Sequence, residues 1–437
     1  MTHETTDFND YLSPRRVDRD GKRVEPSEAL AAIPDGSRVF IASGCGTPLQ
    51  LVEEVASARG NWDDLEVVAG QVLAPLAITE YAGEPFRLVS IQPSEHMPAR
   101  SNGGPADPVP ARYSDTATLF RPGGPLPVDV AIVQVSPSGP GGRLSLGLSV
   151  GSAIDVVRTA RLVIAQVNPQ MPYTFGAGEL ERTEIDYLVE MDGPLVELAR
   201  PPVSEESRAI AAHAVEEVPD EATLQFGIGA VPEALMSMLT DRRDLGIHSG
   251  MIGEGMIQMV ESGAVTNARK TMDQGVIVAG EVLGGRTLFD WVHENPLVRM
   301  APAAYTHGAT VIPRCHRFVS IQSALQVALD GTINAESLGE RQVAGTGGQP
   351  DYAAGAAATA DGIAIHAMPA TAARGKASRI VPQLDAGAIV TTPRYLADRI
   401  VTEFGVARLR GQPLSLRAKR LRAIAHPDFR SELASSP

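Results

Sequence analysis

The sequence predicts an α/β protein with mostly parallel sheets, divided into two domains. Short apolar runs rich in β-branched residues recur along the chain, and helical patterns separate them. The length of 437 residues also exceeds what one ordinary hydrophobic core accommodates. Short buried strands that alternate with helices are typical of parallel sheets covered by helices.

The predicted elements occur in both halves of the chain. In the first half, strands are predicted at 38–42, 65–69, 128–135 and 162–165, and helices at 49–58 and 152–160. In the second half, strands are predicted at 223–226, 275–279, 310–312, 362–365 and 388–391. Pro201 and Pro202 favour an extended linker, and Ser204-Glu-Glu-Ser207 suits the start of a helix. We therefore predict domains of residues 1–210 and 211–437.

Composition excludes several classes of protein. A net charge of −14 argues against nonspecific binding to nucleic acid, and no apolar run is long enough to span a membrane. Cys45 and Cys315 are the only cysteines, so neither a disulfide framework nor a cysteine metal cluster is expected. The stretch Met1–Asp20 is polar and charged, unlike a signal peptide. These features predict a cytoplasmic protein without a bound metal.

A series of motifs in the second half gives the strongest functional signal. It begins with Gln225-Phe-Gly-Ile-Gly-Ala-Val-Pro-Glu-Ala234 and Leu245-Gly-Ile-His-Ser-Gly-Met-Ile-Gly-Glu-Gly255. It continues, in order, with 320–331, Gly345-Thr-Gly-Gly-Gln-Pro-Asp351, 378–382, 401–407, 409–411 and 424–430. The series resembles the acetyl-CoA hydrolase/transferase family, including its 4-hydroxybutyrate/acetate CoA-transferases. The resemblance implies the class I CoA-transferase fold, with two NagB/RpiA-like α/β/α domains.

One position departs from the family at the centre of its chemistry. The family motif resembles Leu-Gly-Ile-His-Thr-Glu-Met, in which the glutamate attacks the acyl-CoA and becomes a glutamyl-CoA thioester. Gly250 occupies that position here and has no side chain to attack with. Gln166, Gln326 and Ala328 also stand where the family carries carboxylates, which suggests either a rebuilt pocket or decay.

The resemblance also nominates other site residues. His248 is a candidate general base, Glu254 a less favoured shifted nucleophile, and Glu281 a candidate replacement carboxylate that could equally be a strand-end charge. Glu403 is as readily a solvated helix-start charge as an active-site group. The expected contacts to coenzyme A or the acyl carbonyl are glycine amides and a glutamine of two loops, namely Gly227, Gly229, Gly345, Gly347, Gly348 and Gln349.

Three hypotheses about function remain open at this stage. The favoured one is an acyl-CoA hydrolase, which breaks either the thioester or a carbon–carbon bond of a β-keto or cyclic acyl-CoA. The second is a CoA-transferase that moves CoA to a small carboxylate by another nucleophile or a ternary complex. The third is a non-catalytic CoA-binding homologue. All three imply coenzyme A as part of the ligand, and the family resemblance implies a homodimer or larger homo-oligomer.

Overall fold

The computed structural model describes residues 19–435, so the expectation for Met1–Asp20 falls almost wholly outside the described residues. The strands are β1 Lys22–Arg23, β2 Arg38–Ile41, β3 Leu65–Ala69, β4 Phe86–Ser90, β5 Asp107–Pro108, β6 Val130–Val135, β7 Leu144–Ser145, β8 Leu162–Val167, β9 Phe175–Gly176, β10 Glu179–Leu180, β11 Tyr187–Glu190, β12 Thr223–Phe226, β13 Gly246–Ile252, β14 Ile277–Val282, β15 Val298–Met300, β16 Phe318–Ser323, β17 Gln326–Ala328, β18 Ile333–Asn334, β19 Ser337–Leu338, β20 Arg341–Gln342, β21 Ile363–Ala367, β22 Thr371–Ala372, β23 Ala377–Ser378, β24 Ile380–Val381, β25 Arg399–Thr402 and β26 Gly405–Arg408. The helices are α1 Pro26–Ala31, α2 Leu49–Ser57, α3 Thr116–Phe120, α4 Ala153–Thr159, α5 Glu205–Val215, α6 Ala230–Met238, α7 Gly255–Glu261, α8 Arg286–Val292, α9 Ala303–Thr306, α10 Gln349–Ala358, α11 Leu414–Ile424 and α12 Arg430–Ser435.

Two compact units make up the described chain. The first contains the residues up to Ala199 together with Val278–His307, and the second contains Arg200–Ile277 and the residues from Gly308 onward. The segment Val278–His307 therefore belongs to the first unit, although it lies late in the sequence. The predicted domains of residues 1–210 and 211–437 stay a prediction.

The first unit is built on an eight-stranded sheet in the order β1-β11-β8-β6-β2-β3-β4-β5. Every neighbouring pair in this sheet is parallel. Val39 and Ile41 face a core shared with Leu51 and Val55 of α2. Phe40 points to the opposite face by strand alternation and packs against the ring of Phe120 in α3, with 5.7 Å between centroids. Helices therefore cover both faces of the sheet.

The second unit contributes six neighbouring strands in the order β26-β25-β21-β16-β12-β13. Neighbouring strands among these six are parallel, apart from the antiparallel β25–β26 hairpin. Helix α10 packs on the face that carries Phe318 and Ala364, with Tyr352 stacked on Phe318. Parallel strands direct their carboxyl ends to one edge, which is where open α/β sheets place ligands.

Most predicted elements are confirmed, and the prediction of an α/β fold with mostly parallel sheets is confirmed with them. Helix α5 begins after Ser204, whose hydroxyl accepts a hydrogen bond from the Ser207 amide over 3.0 Å, as the linker sequence predicted. Two predicted strands are wrong. Residues 310–312 enter a 3-10 turn at Ile312–Arg314, where Pro313 cannot donate to a ladder.

The second wrong strand is 388–391, which follows Gly387 at φ 78° and forms no strand; Thr392 alone makes a bridge, to Ile333. The predicted strand 275–279 is shifted, because Gly275 lies in a turn with φ 80° and β14 begins at Ile277. Across residues 19–435, no helix combines the length and apolarity that a membrane crossing needs.

Candidate active site

The site residues predicted in the second unit cluster at the carboxyl ends of its parallel strands. Gly227 follows β12 directly, and its amide donates to the carbonyl oxygen of Ile321 over 2.8 Å. The pairing of Thr223 with Gly246 continues along β12 and β13, which brings Gly250 alongside Gly227 at this edge. The structure thus brings together two segments that the sequence motifs suggested separately.

The loop after β12 leads into the nine-residue helix α6. Gly229 precedes the helix with φ 133°, a conformation that favours glycine. Among the described residues, no acceptor is recorded for the amides of Gly229, Ala230 and Val231. These amides lie at the positive end of the helix dipole, so they suit an electronegative oxygen of a ligand.

The glycine loop 345–348 supplies a second group of amides. It leads into the ten-residue helix α10, and Gly347 adopts φ 59°. Within residues 19–435, Gly347 takes part in a β-bridge, so part of the backbone of this loop is already hydrogen-bonded. The Gln349 side chain donates to the carbonyl oxygen of Ser323 over 2.8 Å, and this bond ties the loop to the end of β16.

Ser323 connects the two glycine loops. A Cβ built on Gly229 would lie 3.6 Å from Ser323 Oγ, and Ser323 O accepts the bond from Gln349. The amino-terminal ends of α6 and α10 therefore meet at the same residue. Amides at the start of α6 and in the glycine loop, near the exposed Ser323 hydroxyl, can polarise a carbonyl oxygen or hold an anionic group.

His248 and Gly250 lie on one face of β13, because side chains alternate along a strand. His248 is fully buried, and Gly250 is buried as well. Ser249 faces the other side, where its hydroxyl donates to Met251 O over 2.6 Å. At the position where the family resemblance predicts the nucleophile, β13 therefore offers a histidine two residues away but no nucleophilic atom at Gly250 itself.

Glu254 lies close to the same edge, just before α7, and is half-buried. It raises the pKa of Glu233, a nearly buried carboxyl in the first turn of α6, although burial is the larger cause. Arg200 opposes this shift by donating to Glu233 over 2.8 Å. Two carboxyls thus flank the amino-terminal turn of α6.

Glu403 lies in the turn between β25 and β26 and accepts a hydrogen bond from a residue outside this turn. Its Oε2 accepts the Ala370 amide over 2.9 Å. It also raises the pKa of Glu206 in α5, for which burial is the larger cause. The contacts of Glu403 therefore tie a turn to a neighbouring loop and account for this carboxylate without a catalytic role.

Glu281 belongs to the first unit, in β14. Its Oε1 accepts the Tyr113 hydroxyl over 2.8 Å, and its Oε2 is enclosed. Burial raises the pKa of Glu281 to about 7, while Ser149, Tyr113 and the Gly151 amide oppose the shift. Tyr113 lies 168 residues away in sequence, so no local pattern predicts this pair.

The residues that replace family carboxylates have their own partners. Gln166 is fully buried in a network of side-chain amides, where it donates to Gln134 over 3.0 Å and accepts the Leu51 amide over 3.1 Å. Gln326 donates to Asp385 over 2.8 Å, and Ala328 is buried in β17. Gln166 thus satisfies the amino-terminal end of α2 without charge, which favours a rebuilt interior over decay.

The loop Ser43–Pro48 uses two of its amides for hydrogen bonds within the first unit. Gly44 N donates to Gln71 O over 2.9 Å, and Gly46 N donates to Ser149 Oγ over 3.1 Å. Because Gln166 also accepts the Leu51 amide, the recorded bonds of this loop and helix start are internal. In the described part of the chain, no group of three or more histidine, cysteine, aspartate or glutamate side chains is arranged to hold a metal ion.

Comparison with known proteins gives a consistent family assignment. Residues 13–198 match the model of the acetyl-CoA hydrolase/transferase N-terminal domain, and residues 284–436 match that of the C-terminal domain. The chain is 39% identical over 416 residues to a 4-hydroxybutyrate coenzyme A transferase from Clostridium kluyveri, covering 94% of this chain and 96% of the relative. A more distant relative, an acetyl-CoA hydrolase from Eremothecium gossypii, is 23% identical and covers 69% of this chain and 64% of its own.

Solved structures agree with this assignment. RipA from Yersinia pestis superposes with a TM-score of 0.87 at 30% identity, covering 98% of both chains. A 4-hydroxybutyrate CoA-transferase from Porphyromonas gingivalis superposes with a TM-score of 0.80 at 30% identity, covering 94% of this chain and 96% of the other.

Proposed function

The chain belongs to the acetyl-CoA hydrolase/transferase family, and we propose that within it the protein is an acyl-CoA hydrolase that works without a covalent glutamyl intermediate. The observation that carries the proposal is the pair formed by His248 and Gly250 on one face of β13. The buried imidazole of His248 lies beside residue 250, but residue 250 is a glycine and carries no carboxylate that could act as a nucleophile.

The proposed reaction uses water where the family uses glutamate. Water attacks the acyl carbon, a carbon–oxygen bond forms, and the carbon–sulfur bond to CoA breaks. His248 takes a proton from the water and returns it to the departing thiolate, so the products are a free carboxylic acid and CoA thiol. Histidine suits this role because its ordinary pKa lies near neutrality.

The two glycine loops supply the electrostatic part of the proposal. Amides at Gly229–Val231 and Gly345–Gln349 donate to the carbonyl oxygen as negative charge develops there. Loss of a single donor of this kind costs on the order of 100-fold in kcat in enzymes that use an oxyanion hole. Gly227 and Gly229 allow the backbone to approach the ligand closely.

Transfer of CoA to a small carboxylate is the second candidate. This reaction is favoured by the 39% identity of the chain to the 4-hydroxybutyrate coenzyme A transferase from Clostridium kluyveri. In this protein, transfer requires either a nucleophile other than residue 250 or direct attack within a ternary complex, because Gly250 has no atom that can form an anhydride.

Turnover of a panel of acyl-CoA thioesters tests the proposal. The protein is incubated with each thioester, with and without acetate or succinate, and free thiol and exchanged acyl-CoA are measured. Thiol release that needs no acceptor supports hydrolysis, whereas exchange that appears only with acceptor contradicts it. CoA binding without either product contradicts both enzymatic proposals and indicates a binding protein.

His248→Gln provides the matched test of the base, with Glu254→Gln as the comparison. We expect His248→Gln to lower kcat by on the order of 100-fold, because general-base catalysis contributes that much. Glu254→Gln should change kcat less. A larger loss of kcat in Glu254→Gln than in His248→Gln would contradict the proposal and identify Glu254 as the general base.

A further inference from the structure

The carboxyl of Glu281 lies in a cage that glycines make possible. A Cβ on Gly151 would lie 2.7 Å from Oε1, and a Cβ on Gly44 would lie 3.7 Å from Oε2. Gly44 also adopts φ 66°, which disfavours any side chain. The first unit therefore leaves room for this carboxyl where two loops meet β14.

Backbone bonds tie those loops to β14. The amides of Val150 and Gly151 both donate to Gly280 O over 3.0 Å, and Val282 N donates to Leu148 O over 2.8 Å. Ser149 Oγ then connects the loop to its neighbour by donating to Ser43 O over 2.7 Å and accepting the Gly46 amide over 3.1 Å. The Glu281 side chain extends this connection to Tyr113.

The available donors indicate which form of the carboxyl fits the cage. Oε1 accepts from Tyr113, while Oε2 has no hydrogen-bond partner among residues 19–435. Ser149 lies beside the carboxyl, but its single hydroxyl proton already goes to Ser43 O. A carboxylate oxygen is left without a donor, whereas a protonated Oε2 has the Ser149 oxygen nearby as an acceptor.

Burial outweighs the hydrogen bonds that favour a negative charge on Glu281. The buried Cys45 thiol has its pKa raised to about 12, chiefly by burial, and the Glu281 charge would raise it further. Tyr113 stays neutral because burial raises its pKa well above its usual value, and its ring lies tilted against the ring of His307 with 4.9 Å between centroids. No cation is among the groups that shift the pKa of Glu281, and burial raises it to about 7 against the opposing hydrogen bonds of Ser149, Tyr113 and the Gly151 amide.

We propose that Glu281 is a proton-operated latch of the first unit. In its neutral form it holds Tyr113 and the loops at Ser43–Gly46 and Ser149–Gly151 together. When the proton leaves to solvent, Oε2 carries a charge into an enclosed space without a donor, and the loops loosen. This inference does not depend on which reaction the second unit supports.

Amide hydrogen exchange on the full chain tests the latch. We expect peptides covering 43–47 and 148–152 to lose protection by roughly tenfold between about pH 6 and about pH 8, after correction for intrinsic exchange. Glu281→Gln keeps a neutral group of similar shape, so these peptides should stay equally protected across the range. Parallel responses of the wild type and Glu281→Gln would overturn the proposal.

Two further variants keep the test decisive. Glu179 also accepts a tyrosine hydroxyl, from Tyr173 over 2.7 Å, so Glu179→Gln should retain the wild-type response. Tyr113→Phe removes a donor that favours the charged form, so the midpoint of the response should move to higher pH. If Glu281→Gln does not fold, an unmoved midpoint in Tyr113→Phe contradicts the latch.

Discussion

The side-chain amide of Gln349 donates to the main-chain oxygen of Ser323 over 2.8 Å, and this bond joins the glycine loop to the carboxyl end of β16. Gln349 is nearly buried, so its amide is held in one orientation. Because Ser323 also lies next to Gly229, the bond links the glycine loop to the loop that precedes α6.

Gln349→Ala should therefore reduce turnover. A hydrogen bond of this kind contributes about 1 kcal/mol, so we expect kcat/KM for the best acyl-CoA substrate to fall by roughly fivefold. Gln326→Ala is the control, since Gln326 makes a bond of the same length to Asp385, away from the loop. Equal losses in the two variants would show that the loop is not part of the site.

Gly347→Ala and Gly339→Ala form a matched pair. The two glycines have φ 59° and φ 58°, so alanine costs about 1 kcal/mol of folding stability at either position. Only Gly347 lies in the loop predicted to contact the acyl-CoA, and only its variant should lower turnover. Urea unfolding and steady-state kinetics on both variants check this, and a comparable kinetic loss in Gly339→Ala would contradict it.

His366 should make the protein sensitive to acid. It is fully buried, neither ring nitrogen has a hydrogen-bond partner within residues 19–435, and burial lowers its pKa from 6.5 to about 4. In the unfolded chain this histidine binds a proton below about pH 6.5, whereas in the folded chain it does so only below about pH 4. The free energy of unfolding therefore decreases as the pH falls from about 6.5 to about 4. The loss amounts to about 3 kcal/mol at the acid end.

His366→Leu should abolish that loss. Urea unfolding between about pH 4 and about pH 7 should show a flatter stability curve for the variant. The variant should also gain about 1 kcal/mol at neutral pH, because two unsatisfied ring nitrogens are removed. Curves of equal slope for wild type and variant would show that His366 is not the source of acid sensitivity.

Glu403→Ala should affect stability and leave chemistry intact. The variant loses the acceptor for the Ala370 amide, which costs about 1–3 kcal/mol where the amide is left unpaired. We expect kcat and KM to stay unchanged. A large fall in kcat with unchanged stability would instead place Glu403 in the reaction.

The sequence predicted the parts of this protein that local patterns encode. Strand runs such as Leu65–Ala69, the Ser204 cap and the glycine loop 345–348 each depend on neighbouring residues. Tyr113 and Glu281 meet only because distant loops dock on β14, and Ser323 gains its role from the position of β16, for which no strand was predicted. Residues 388–391 have the composition of a strand, but only Thr391 and the following Thr392 hydrogen-bond to Ile333 of β18.

Gln166 illustrates a second limit of sequence reasoning. Its identity suggested the removal of an active-site carboxylate, but its partners are other buried amides and the start of α2. The effect of such a substitution depends on the hydrogen bonds around it, which spacing along the chain does not reveal.

Intact-mass measurement of the protein after exposure to acyl-CoA tests the central claim most directly. The wild type, with Gly250, should turn over the thioester and show no covalent CoA adduct. Gly250→Glu should restore a carboxylate at that position of β13 and accumulate one CoA adduct per chain. A CoA adduct on the wild-type protein would contradict the account, because it would show that another residue performs the covalent step.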